Sequence, residues 1–441
     1  VIVVQKHPVV AVSAPETASL APPRSLTASA TRPQASMGGT QCGEREADIE
    51  QAQRHARAAV AELELTAQVR PVPADEPGAY TCELLRDGRP VEQGLGCGKG
   101  NPATAKVGAM FEALEHHLSH LPPPTAVQVR PAHGLGHGLP PDTVLSLLER
   151  GPNQPLGCLP YRNLISGVER DLPIFACTPH YLKDHLTQTR AELGDRYDYR
   201  VVRRYSFNNG WAAGTTPVEA AVHAINEIIE RDAISLLLID RFLTPAPAPT
   251  RVVRPATLPD TLAGLHHRAQ DLLHAPVHLI DMTSDLGVPA FWAHTPAPPG
   301  QPARMRGYGA SVSAHYAAER ALTELIQCHS LLTEHSDQDL LRNREVETTH
   351  PALHRCYLAD ITSGPTTPTT FTETPAPTTP TEHLDILLDQ LNQAGLTAWV
   401  WHRHTTDHLA VLNITIPGTQ RFMLITEGHL VLPGPRRRPL T

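Results

Sequence analysis

Residues 46–65 run without Gly or Pro and are rich in Ala, Glu and Arg, a pattern that predicts a helix. Near the other end, apolar positions at helical spacing over 384–394 predict a second helix. The apolar stretches 396–401 and 409–416 then read as strands. Prolines at 122–124, 140–141 and 245–249 break the chain between such elements. The longest break, the Thr/Pro tract 363–381, can barely hold a helix or an interior strand and is expected to be a surface insertion. Residues 1–48 mix Pro, Ser, Thr and Ala with neither helical nor alternating periodicity. A disordered leader is expected there, followed by one folded domain over 49–440. Helices alternating with strands imply a mixed α/β (α+β) core of sheets with packed helices.

The strongest pattern is an internal repeat. Pro102, Ala105, Ala109, Glu112 and Glu115 stand at offsets 0, 3, 7, 10 and 13, and Pro217, Ala220, Ala224, Glu227 and Glu230 repeat those offsets. A third copy lacks the proline but keeps Ala317, Ala321 and Glu324, with Gln327 in the last position. This spacing puts the small residues and the two oxygen-bearing side chains on one helical face. The alanines allow close packing, and three such helices can pool five carboxylates and one amide. Hard oxygen ligands of that kind suit Mg2+ held together with phosphates. A lone Glu-x-x-Glu is by itself a solvated face, since Glu is a good helix former and usually exposed. Three matched copies, two of them entered through glycine-rich turns, point beyond that, although a duplication kept only for packing is the competing account.

Those turns are the second clue. Gly94, Gly96, Gly98, Lys99 and Gly100 precede the first repeat helix, and Gly210 and Gly214 precede the second, so backbone amides at helix starts can face phosphate. The first turn is not a Walker loop: Gln93 stands where Gly is needed, and Gly100 where Ser or Thr should follow Lys99.

Composition narrows the field. With 41% hydrophobic and 19% charged residues the 441-residue chain can bury a sizeable core. A net charge of -8 argues against general nucleic-acid binding, and no apolar run reaches the ~18 residues of a membrane span. Seven scattered cysteines without a CxxC pair suggest reduced thiols. A soluble, cytoplasmic chain is expected.

Taken as strings, GKGNPATAKVGAMFEALEHH (98–117), NNGWAAGTTPVEAAVHAINEIIERDAISLLL (208–238), LIDMTSDLGVPAFWA (279–293) and RALTELIQCHS (320–330) resemble successive motifs of the YcaO superfamily. The resemblance spans roughly 90–435, and its most specific part is GxAxGxTPxEAxxHxxxExIERDA. It implies ATP and Mg2+ as cofactors, with Glu112, Glu115, Glu227, Glu230 and Glu324 on the metal or triphosphate and Gln327 beside them. Lys99 and Arg231 would contact phosphates; Asn208, Asn209, Gly210, Gly214 and Thr215 would lie in the nucleotide-binding loop. Glu227, Glu230 and Arg231 would carry the catalytic role, although Arg231 could instead simply pair with Glu227 one turn away. Three positions depart from the pattern: Thr215 replaces the usual Asn, and His116 and His329 replace arginines.

The resemblance further implies tailoring of a ribosomally made precursor peptide. A nucleophile adds to a backbone amide carbonyl and the oxygen leaves as phosphate, giving an azoline from a Cys, Ser or Thr side chain, a thioamide from sulfide, or an amidine from an amine. Many azoline-forming members end in PxPxP. Here Pro433 and Pro435 fit but Arg437 does not, which leans toward a thioamide former. No fused leader-binding domain is evident, so a separately encoded leader-binding or sulfur-delivery partner is expected, and a homodimer is compatible. A catalytically silent scaffold binding a peptide or partner is the rival reading. Arg436, Arg437 and Arg438 read as a solvated tail. His402, His404 and His408, and His116, His117 and His120, read as exposed polar clusters that could alternatively share a metal. Cys177 and Cys328 read as packing thiols.

Overall fold

The computed structural model describes residues 43–72, 79–298, 300–303, 305–331 and 346–436. The expected leader therefore lies mostly outside the described residues, as do Arg437 and Arg438.

Helix α1 (Ile49–Glu62) opens with a capping box in which Asp48 accepts from the Gln51 amide at 2.8 Å while the Gln51 side chain accepts from the Asp48 amide. It closes before Glu64, whose φ of 55° is left-handed. These two signals trim the expected 46–65 at both ends. Residues 43–48 are not a free leader. Glu44 is buried and accepts from Asn226 at 3.1 Å and from the Ser311 hydroxyl.

Three sheets follow. The first is antiparallel, in the order β1 (Thr66–Pro71), β2 (Tyr80–Arg86), β3 (Arg89–Gly98). The second runs β4 (Gln128–Pro131), β5 (Pro155–Asn163), β13 (Trp399–Thr405), β14 (Ala410–Thr415), β7 (Trp211–Gly214), with β6 (Glu169–Pro173) also on β5. The third runs β11 (Arg306–Ala310), β10 (Ala290–His294), β9 (His278–Asp281), β8 (Thr250–Val253), β12 (Thr366–Thr369). Strand β12 corrects the expected insertion: the Thr/Pro tract supplies a strand parallel to β8 and buries Phe371 against Phe291 at 5.7 Å between centroids. An edge position makes this feasible, because Pro368 cannot donate to a further strand.

The three repeat helices are α2 (Pro102–Ser119), α5 (Pro217–Leu243) and α7 (Ala314–Leu331). Asn101 caps α2 by accepting from the Ala103 and Thr104 amides, and Thr216 caps α5 by accepting from the Glu219 amide, each followed by Pro at the first helical position. In the copy lacking proline, the Ser313 hydroxyl accepts from the Tyr316 amide. Helix α5 is buried on most sides. Ile225, Ile228, Ile229 and Leu238 are at most 1% exposed, each stabilising the fold by roughly 1.5–3 kcal/mol.

The alanines of the repeat lie directly on glycines of the preceding strand. A methyl group on Gly98 would stand 1.7 Å from the Ala105 carbonyl oxygen; one on Gly96 would stand 2.2 Å from the Ala113 nitrogen. In the third copy, Gly307 and Gly309 meet the Ala321 and Ala317 carbonyls at 2.2 and 2.1 Å in the same sense. The repeat is thus a strand–helix unit in which backbone rests on backbone.

The other α-helices among the described residues are α3 (Thr143–Arg150), α4 (Thr187–Glu192), α6 (Asp260–Leu273), α8 (Pro351–Leu358) and α9 (Pro380–Gln393). The cysteines of the described residues are free thiols, and Cys177 is a buried core thiol 3.3 Å from the Tyr161 hydroxyl. Among the described residues no helix is long and apolar enough to cross a membrane.

Candidate functional site

The close strand–helix contact brings the acidic ends of α2 and α5 onto backbone donors. The Cys97 amide donates to Glu112 at 3.2 Å, the Ala213 amide to Glu115 at 3.2 Å and the Gly210 amide to Glu227 at 2.9 Å. Gln327 donates to the Cys97 carbonyl at 3.0 Å, tying α7 to β3. Lys99 donates to Glu324, joining the first glycine turn to the third helix.

Arg231 gathers the loop before α5. Its guanidinium donates to the Asn208 carbonyl at 2.7 Å, the Asn209 side chain at 2.9 Å and Glu227 at 2.7 Å. Its outer face lies over the Phe207 ring, which also carries Arg421. The loop is held from below, since Asn413 donates to the Asn209 carbonyl and accepts from Tyr161. The pairing of Arg231 with Glu227 is therefore real, and it is one bond among several aimed into the same cluster.

Electrostatically the cluster is under-neutralised. Burial, then the charges of Glu227 and Glu112, hold the Glu115 carboxyl well above its ordinary range. Burial, then Glu324, pushes Glu230 up to about 7. Burial also raises Glu112, against His116 and the Cys97 amide. For Glu324 burial acts upward but is outweighed by Lys99, which holds the carboxyl below its usual value. Among the described residues no three His, Cys, Asp or Glu side chains already stand as a metal cage. Crowded carboxylates turn instead to amide donors. Mg2+ does not require such a cage, because it keeps several waters and uses one or two carboxylates with phosphate oxygens. The donor set fits that ion: buried and half-buried carboxylates, with Glu112, Glu115 and Glu230 raised in pKa, whose mutual repulsion a divalent cation would relieve.

Thr215 does not face the acidic cluster. Its hydroxyl and amide both donate to Glu219, which also accepts from Arg45 at 2.8 Å. Gly214 sits beside them, where a methyl group would come within 2.8 Å of the Ala220 nitrogen. These residues form a second polar station eight residues, about 12 Å, along α5 from Glu227. Between the two lie residues to which the motif had assigned no role, although His223 is one of its fixed positions. Arg320 donates to His223 at 3.4 Å, and its buried Nε has no partner. Burial and then Arg320, Arg45 and Lys99 keep His223 well below its ordinary pKa. Both residues stand inside the strings quoted above, one helical turn before Glu324 and Glu227, and that spacing was the available signal.

A family model described as YcaO cyclodehydratase, ATP- and Mg2+-binding, matches residues 97–420, well over half of the chain. The chain belongs to the YcaO cyclodehydratase family. The YcaO fold is also found in a heterocyclase solved with substrate and cofactor (TM-score 0.61, 20% identity), covering 88% of this chain and 55% of that one. A YcaO protein from Methanopyrus kandleri bound with AMPPCP and Mg2+ gives a TM-score of 0.60 at 17% identity, covering 91% and 99%. The E. coli microcin synthetase McbBCD complex with pro-MccB17 gives 0.52 at 11%, covering 80% and 88%. A Rhizobium leguminosarum bv. trifolii protein, described as an uncharacterized protein in the tfuA 3' region, is 33% identical over 103 residues, 22% of this chain and 23% of its own length. The chain thus spans about half of the heterocyclase and matches under a quarter of the Rhizobium protein.

Arg436, the one residue of the expected solvated tail among the described residues, is not solvated. Arg436 is one-tenth exposed and bridges Asp232, buried at 0% exposure, and Asp285, at 3.0 and 2.6 Å. Asp232 follows Arg231 directly and also accepts from the Gln420 amide at 2.8 Å. The Gly434 amide donates to the Gln420 side chain at 2.9 Å. His408 faces His55 and Glu62, while a register shift between His402 and His404 breaks their common spacing.

Proposed function

We propose that this YcaO chain uses ATP with Mg2+ to activate a backbone amide of a ribosomally made precursor peptide. The observation that carries this reading is the convergence of Glu115, Glu227, Glu230, Arg231 and Glu324 from three helices with Lys99 from the first glycine turn. It is an arrangement of partly buried carboxylates and two cations suited to a metal triphosphate. When bound, ATP supplies a transferable phosphoryl group and Mg2+ shields its charge.

The chain's own residues do the rest by position and charge. Lys99 and Arg231 offset the negative charge that develops as a phosphoryl group moves. Asn208, Asn209 and Gly210, pinned through Asn413, shape the loop around it. The nucleophile, sulfide for a thioamide, bonds to the amide carbon, and the carbonyl oxygen takes the phosphoryl group as ADP departs. The C–O bond then breaks, and loss of phosphate and a proton leaves C=S. The product is a thioamide or an azoline, according to whether sulfide or a side chain of the peptide is the nucleophile. We propose a separately encoded partner for leader binding or sulfur delivery.

The test is Mg2+-dependent release of ADP and phosphate by the full chain, with and without precursor peptide, against Glu227→Gln/Glu230→Gln. Peptide-stimulated turnover lost in the variant supports the reading. Peptide mass then distinguishes loss of water from exchange of oxygen for sulfur. If wild type neither binds nor hydrolyses ATP, the binding-scaffold alternative replaces it.

A further inference from the structure

His120, five residues beyond Glu115, is brought against a histidine from another part of the chain. His120 is the C-cap of α2, and His180 comes from the short 3-10 helix Pro179–Leu182. Their ring centroids are 4.6 Å apart with planes tilted by 57°. Each presents a buried Nδ1 with no hydrogen-bond partner. Two bare, buried ring nitrogens on adjacent imidazoles call for an explanation, since buried polar atoms are nearly always satisfied.

Three further features bear on what these nitrogens do. His120 Nε2 lies 3.1 Å from a Glu92 carboxylate oxygen, which selects the Nε2–H tautomer and leaves a lone pair on Nδ1. A carboxylate on the far nitrogen is the usual support of a metal-bound imidazole. Burial, followed by Lys183 for His120 and by His120 itself for His180, lowers both imidazoles to about 4, so protons do not compete near neutrality. The site also caps the C-terminal end of an 18-residue helix, where the carbonyl dipoles favour a cation.

We propose that His120 and His180 bind a borderline transition-metal dication, of which Zn2+ is the type, at a site separate from the carboxylate cluster. The protein contributes two imidazole nitrogens, with water completing the coordination, because no third His, Cys, Asp or Glu converges there among the described residues. Imidazole suits Zn2+, Ni2+ and Cu2+, whereas Mg2+ prefers oxygen. The two sites are thereby distinguished by ligand chemistry. The proposal is independent of the ATP reading.

The experiment uses the full chain in the His408→Ala background, which removes the separate His55–His408 contact of 3.3 Å. Excess Mg2+ occupies the carboxylates while Co2+ is titrated and followed by its visible absorption, and Zn2+ then competes. One equivalent is expected. His180→Ala loses it, Glu92→Gln weakens it by ~10–100-fold, and Glu227→Gln leaves it intact. Circular dichroism checks folding, and His120→Gln reads the same equivalent should His180→Ala be unstable. Absence of binding, binding undiminished without either histidine, or loss in Glu227→Gln overturns the assignment, leaving the two nitrogens to a buried water.

Discussion

Gly98→Ala and Gly108→Ala are the same chemical change ten residues apart, and the structure assigns them opposite signs. At Gly98 the new methyl would sit 1.7 Å from the Ala105 carbonyl oxygen and 2.6 Å from the Ala109 nitrogen. Both are backbone atoms with no rotamer to yield, and ordinary contact begins near 3.4 Å. Strand β3 and α2 must therefore separate by well over an ångström, a forced overpacking that costs about 1–3 kcal/mol or more. The same movement draws the Cys97 amide away from Glu112, now at 3.2 Å. A displacement of about 1 Å at such a site can lower turnover ~100-fold. At Gly108, inside α2, the methyl meets only the Gly98 Cα at 3.6 Å, and the gain in helix propensity is about 0.5–1 kcal/mol. Urea unfolding of the purified variants measures both effects, and Mg2+-dependent ATP turnover measures the second consequence at Gly98. Equal stability of the two variants, or a Gly98→Ala chain within ~0.5 kcal/mol of wild type, would refute the idea that backbone contact sets the carboxylate positions.

Three further outcomes are expected. Arg436→Ala strands the buried Asp232 carboxylate and should cost roughly 3–5 kcal/mol, whereas Asp232→Asn/Arg436→Ala should cost less than Arg436→Ala alone; a double-mutant cycle by denaturant unfolding checks this. Glu230, raised from 4.5 to about 7, binds its proton more tightly in the folded state. Without Mg2+ its contribution is fully present below pH 4.5 and is lost as pH climbs through 7, by at most roughly 3 kcal/mol; Glu230→Gln should flatten that slope in Mg2+-free melts. His294 has the opposite sign, since burial lowers it from 6.5 to about 4. Its contribution is present above pH 6.5 and is lost as pH falls through 4, so His294→Gln should remove part of the acid destabilisation seen in urea titrations.

What could be read from the sequence was what is local in it. The proline starts of α2 and α5, the Ala stripe and the Glu-x-x-Glu ends all recur at short, fixed spacing within one helix. Partners far apart in the chain left no such trace. Arg45 and Glu219 are 174 residues apart, and Arg436 and Asp232 are 204 apart. Each looked like a charge in a leader or a solvated tail until the fold gave it a buried counterpart. Strand β12 was hidden because Thr and Pro signal irregular chain unless a neighbour such as β8 supplies hydrogen bonds. Thr215 was drawn into the nucleotide loop by its place in the motif, whereas its hydroxyl is claimed by Glu219.

Because peptide planes rather than side chains separate β3 from α2 and β11 from α7, the distances between these carboxylates have few soft degrees of freedom. A spacer built of rotamers would breathe as its side chains hop between wells; a spacer of amides has only the stretch of the whole unit available. The ligand geometry should therefore be nearly independent of temperature up to the point where a strand–helix unit opens, and it should then be lost in one step. Amide exchange at Cys97, Ala109 and Leu325 would report that opening as a single event shared by protons from strand and helix.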